Sequence, residues 1–312
     1  MPTAERLSSG AAKSGAPEAA GAWPAAQLDS AGAGFQADVV YHASPPRLQR
    51  ALGDGLVAVR GEAGGPTRLA RLYQEGCAKI RLPRDAAARC LEAVLINTAG
   101  GLTGGDRLRW GAEAGDHAAL TLTTQACEKV YRAANGRAET VVELTVGADA
   151  RVDWLPQETI LFDGGAYARR LDVDLAAGAR LLAMEAVVLG RTARGERVMQ
   201  GLLRDRWRVR REGRLIFADD LRLEGRVCET ALGAPLLAGA CAFAAVLLVA
   251  EEAEQLLPAV RAAIGEAGGA SAFDGKLLVR IVAAEGLTLR RVLIPTLEIL
   301  RRGEPLPRVW RL

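Results

Sequence analysis

"AETVVELTVGADARVDWL", residues 138–155, alternates apolar and polar side chains, breaks at a glycine and then resumes the alternation. A period of two puts successive side chains on opposite faces of an extended chain, so this stretch reads as two half-buried strands joined by a tight turn. The pattern extends in both directions. "HAALTLTT" (117–124), "YARRLDVDL" (167–175) and "RLIFADDLRL" (214–223) alternate in the same way. "LEAVLIN" (91–97) and "RLLAMEAVVLG" (180–190) are more continuously apolar, as expected of strands covered on both faces. Glycine precedes a strand at Gly115, Gly147, Gly178 and Gly213, at spacings of 32, 31 and 35 residues. A period of this size suggests stacked strand-turn-strand layers. If the layers stack, "TTQACEKVYR" (123–132), "PQETILFDGG" (156–165) and "GRTARGE" (190–196) lie on one side.

Helical periodicity comes late, in 253–268 and 287–303, where Pro258 and Pro295 are expected to kink or shorten the helices. The apolar run 234–250 is too short for a membrane span, contains Pro235 and Gly239, and reads as a turn followed by a buried strand. Residues 1–34, an Ala/Gly/Ser/Pro mixture without an apolar core, read as a disordered tail. The expectation is therefore one mainly β domain over 35–312, a layered stack of strands with a few C-terminal helices.

With 40 Lys+Arg against 37 Asp+Glu, the chain has no basic footprint for nucleic acid or an anionic membrane. Its five cysteines never form C-x-x-C and its two histidines, His42 and His117, form no paired motif, which argues against structural zinc and a disulfide framework. Reduced thiols point to the cytoplasm.

"NTAGGLTGGDRL" (97–108) raises the question of a phosphate cradle. Gly100 and Gly105 have P-loop spacing, but Asp106 stands where the lysine should be, and Leu102 breaks the dinucleotide form. Two readings of Asp106 remain: an acceptor for local turn amides, or a carboxylate facing a cavity. Cys127 lacks a positioned histidine beside it in sequence. Glu158 and Asp163 form a candidate acid-base pair on a small polar substrate, or else cap turns and bind cations. Arg191, Arg194 and Glu196 read alone as a surface ion-pair cluster.

Taken in order, "LINTAGGLTGGDRL", "TTQACEKVYRA", "LPQETILFDGG" and "GRTARGE" resemble the UreD family of urease accessory proteins, also called UreH; "GGPTRLARLYQEGCAKIRLPR" (64–84) is similar to its N-terminal signature. The resemblance is specific over about 55–225 and weaker through the C-terminal helices. It implies a non-enzymatic maturation factor with a helicoid of β-strands. Such a factor binds apo-urease together with UreF and UreG, leaves GTP hydrolysis to UreG, assembles as a dimer through UreF, and helps nickel along an internal passage to the urease site. By that analogy Asp106, Glu158, Asp163 and Glu196 are candidate passage-lining groups, paired with cations such as Arg107, Lys129 or Arg191 while no metal is present. No tightly bound cofactor is implied, only nickel in transit. Loose carboxylates suit an ion that must be released better than a His/Cys cage does. His117 and Cys127 are expected near these motifs as core residues or a weak transient site, and the C-terminal helices and the strand near 241–250 are expected to offer surface to UreF. The rival readings are a small-substrate enzyme using Glu158 and Asp163, and a purely structural adaptor.

Overall fold

Two β-sheets face each other in a computed structural model that describes residues 49–83, 90–191, 195–233 and 237–311. The expected tail, the domain start at 35, His42 and Arg194 lie outside the described residues. In spatial order the first sheet holds β14 (Arg214–Gly225), β13 (Gly201–Arg211), β11 (Ala166–Leu175), β8 (Ala138–Val146), β5 (Arg107–Ala114), β1 (Leu52–Arg60) and β2 (Arg68–Gly76). The second holds β16 (Gly268–Phe273), β17 (Lys276–Ala283), β15 (Ala242–Val249), β12 (Arg180–Leu189), β9 (Arg151–Leu155), β6 (Ala119–Thr124), β4 (Leu91–Asn97) and β3 (Ala78–Arg81). Between β5 and β12 the chain alternates sheets, and its like strands pair in parallel: β5 with β8, β8 with β11, β6 with β9, and β9 with β12. The layered stack read from the alternation is therefore a set of superposed coils, solenoid-like in form.

At one end of the coils the sheets are joined by four-residue turns in register. The amides of Gly115, Gly147 and Ala176 donate to Val59, Ala114 and Val146 of the coil before, and each turn closes on its own first carbonyl. The third turn residue has positive φ in every coil: His117 (57°), Asp149 (53°) and Gly178 (68°). Gly178 is thus equivalent to His117 and Asp149, not to Gly115 and Gly147. Gly213 (φ 78°), beside Glu212 (φ 49°), belongs instead to the antiparallel hairpin of β13 and β14. The period is real, but the glycines that reveal it hold three different turn positions.

Alternation explains the interior. Inward residues of both sheets, among them Trp110, Val142, Trp154, Leu171, Leu181 and Trp207, build one core between the sheets. A short helix α1 (Val227–Leu232) follows β14, and the outer face of the second sheet buries Met184, Val246, Leu248 and Val279 under helices α2 (Leu257–Ile264) and α3 (Gly286–Leu300) and under Trp310. Pro258 starts α2 rather than kinking it, and α3 runs through Pro295. Pro295 faces solvent, where water can satisfy the carbonyl its missing N–H leaves open. β15 lies between β12 and β17 with both faces packed, so the strand near 241–250 offers no docking surface. No helix among the described residues is long and apolar enough to cross a membrane.

Candidate functional site

The other end of the coils carries a third, narrow face. β7 (Glu128–Val130) pairs in parallel with β10 (Thr159–Leu161), which pairs with the end of β12, and Leu102 bridges Val130. Leu102, Val130, Leu161 and Leu189 thereby form a buried apolar row, at most 4% exposed. Each is followed by a polar loop, so the three polar segments and the glycine-rich loop do share one side.

That loop is a spacer between coils. A Cβ on Gly101 would lie 2.4 Å from the Tyr131 ring, and one on Gly104 would lie 2.1 Å from the Asn135 carbonyl oxygen. Glycine is required because neighbouring loops approach backbone to backbone. Asp106, buried at the loop's end, accepts the Ala51 amide at 2.9 Å and the Thr103 amide at 2.8 Å. The local turn-acceptor role read from the sequence is the observed one.

The other carboxylates each have a cation. Arg290 of α3 grips Glu158 with Nε to Oε1 at 2.6 Å and Nη2 to Oε2 at 2.7 Å, while its guanidinium also contacts Gln157 and lies 5.4 Å from the Trp310 ring centre. Burial alone would raise the Glu158 carboxyl, but Arg290 outweighs it and holds the group below the usual carboxylate range. Asp163 accepts from Arg132 at 2.9 Å and from the Gln200 amide at 3.0 Å. Glu196 takes the Arg191 guanidinium at 2.6 Å, and that bond keeps its carboxyl low. Of the cations named from the sequence only Arg191 serves one of these four acids; Arg107 lies 3.7 Å from Glu139. Glu158 and Asp163, on different cations, do not face each other as an acid-base pair.

Cys127 Sγ lies 3.3 Å from Glu158, and burial, reinforced by that charge, pushes its thiol up to about 11, which does not suit a nucleophile at neutral pH. His117 is at the opposite end of β6, in a tight turn 3.8 Å from Asp149, with its side chain 41% exposed. It is neither near the motif loops nor a core residue, contrary to expectation, because positive φ places it at the turn corner. Among the described residues no cluster of three or more His, Cys, Asp or Glu is placed to hold a metal ion.

Three more acids lie close to this face, and of these Glu185 and Asp205 stand outside the motif segments. Glu128, held through Asn97 Nδ2 at 3.1 Å and 3.2 Å, is pushed by burial up to about 7. Glu185 and Asp205 flank the fully buried Arg169, with Asp205 at 2.5 Å; Trp154 Nε1 donates to Glu185 at 2.9 Å and Trp207 Nε1 to Asp205 at 3.1 Å. Burial drives Glu185 up to about 7 despite Arg169. The available signal was a lone acid inside the apolar run "RLLAMEAVVL".

Residues 53–311 match the model of the UreD urease accessory protein family. The chain belongs to the UreD family. The urease accessory protein UreD of Rhizobium leguminosarum bv. viciae is 54% identical over 271 residues, covering 86% of this chain and 98% of that one. UreD of Agrobacterium fabrum is 50% identical over 268 residues, with 86% and 94% covered, and UreD of Mesorhizobium japonicum is 54% identical over 274 residues, with 86% and 97% covered. A UreD chain is an accessory protein of urease maturation, so the enzyme reading built on Glu158 and Asp163 is set aside.

Proposed function

We propose that this chain binds the urease apoprotein in the cytoplasm together with UreF and UreG, and helps nickel reach the urease active site while UreG hydrolyses GTP. Family membership supports the maturation role. The observation that carries the nickel step is the gathering of Asp106, Glu158, Asp163 and Glu196 at one end of the coils, each held by amides or by a guanidinium that a divalent cation can displace. Oxygen donors of this kind attract nickel without the tight grip of imidazole or thiolate. Nickel is cargo in this reading, and UreF is the partner through which two copies assemble.

The full pairing of these four acids favours a second reading, a structural adaptor without a metal passage. Nickel analysis of urease matured with this chain, without it, and with Asp163→Asn or Glu196→Gln separates the two. Conduction requires reduced nickel loading with complex formation intact; normal loading in both variants leaves the adaptor.

A further inference from the structure

Exposed apolar and cationic side chains meet on the motif loops in a way the carboxylates do not explain. Tyr131 is 42% exposed and Met199 50% exposed. Tyr131 stands edge-on to Phe162, 5.2 Å between centroids, and rests on Gly101. Arg191 lies 4.8 Å above the same Phe162 ring and is fixed by Glu196, while Arg132 is fixed by Asp163. Tyr131, Arg132 and Arg191 thus each have a partner within the chain, which reduces the freedom they lose on association. Tyrosine, methionine and arginine are also the residues enriched at the centres of protein interfaces. Carboxylates balance Arg132 and Arg191. Exposed Lys129 and Arg197 have no such partner among the described residues and stand free on this face.

We propose that this third face of the coils docks the urease apoprotein, with Tyr131 and Met199 entering an apolar recess and Lys129 and Arg197 meeting an acidic rim around it. The choice of urease rests on the function proposed above, since urease is the one partner that family membership itself brings; the choice of an acidic rim rests on the uncompensated cations.

The test measures binding of the purified full-length chain to purified apo-urease at low and moderate salt. M199A and the pair Y131A/M199A are expected to weaken affinity by about tenfold or more, mainly through faster dissociation. K129E/R197E is expected to slow association and to flatten its salt dependence. L215A, at the far end of β13 and β14, is expected to bind like the wild type. M199A and K129E/R197E change only exposed side chains, so circular dichroism and melting temperature should match the wild type. Wild-type affinity in both variants overturns the docking face while leaving the proposed function standing. Loss of binding to UreF with urease binding unchanged overturns the choice of occupant. A wild-type chain that does not bind apo-urease overturns both readings.

Discussion

Arg169 and Arg191 both hold carboxylates, yet they sit in opposite surroundings. The Arg169 side chain is 4% exposed between Glu185 and Asp205, deep between coils; Arg191 is 47% exposed on the loop face, paired with Glu196 alone. The difference lies in what each removal leaves behind. Deleting the inner guanidinium strands two carboxylates that water cannot reach, whereas deleting the outer one leaves a carboxylate that water solvates at once. Identical chemistry is therefore structural in one place and expendable in the other. Of the two, only the outer pair has charges that a partner or a passing ion can reach.

The inner knot provides the sharpest way to break this contrast. R169M should lower unfolding stability by about 3–5 kcal/mol, read from denaturant midpoints. A loss no larger than that of an exposed arginine would erase the distinction. Next comes pH. Because burial raises Glu128 in the folded state, the native chain holds that proton longer than the unfolded one. Its contribution to stability therefore falls as pH rises from the ordinary glutamate range through about 7, and is flat above. E128Q should remove a decline on the order of 2 kcal/mol between pH 5 and pH 8, seen as a shallower fall in melting temperature. The half-buried latch is intermediate. R290A should cost about 1–2 kcal/mol and speed amide exchange across 286–300, with the coils β5 to β12 unaffected. Glu158 is held low, so the latch is intact above the ordinary glutamate range and loosens as acid protonates the group. The outermost pair gives the smallest response: E196Q should leave the melting temperature unchanged within error, and a drop of several degrees would show that the loop is part of the folding core.

Much of this architecture could be read from local pattern, and the reason is geometric. A strand buried on one face must alternate, so β8, β11 and β14 announce themselves residue by residue, whereas β6 and β9 alternate in sequence yet are covered on both faces and bury Thr121, Thr123 and Asp153. β2 did not announce itself, because all nine of its residues are exposed and no face imposes a pattern. The loop motifs located the end of the coils that carries the four carboxylates, yet not their partners. Arg290 lies 132 residues beyond Glu158, and no local rule connects a helix residue to a distant turn. The interior knot escaped for the opposite reason: Arg169 sits in an ordinary alternating strand, and Asp205 is one charge in the arginine-rich run "RDRWRVRR". Register alone brings them together, through the parallel pairing that sets Arg169 opposite Asp205.

Trp310, 2% exposed, donates its indole N–H to the Leu155 carbonyl at 3.1 Å, and Arg151 meets Glu304 at 2.5 Å. These contacts tie the segment after α3 back to the coils, and with α2 and α3 they roof the wide greasy flank formed by β12, β15 and β17. A protease that cut just after α3 would lift part of that roof and leave a finished molecule sticky.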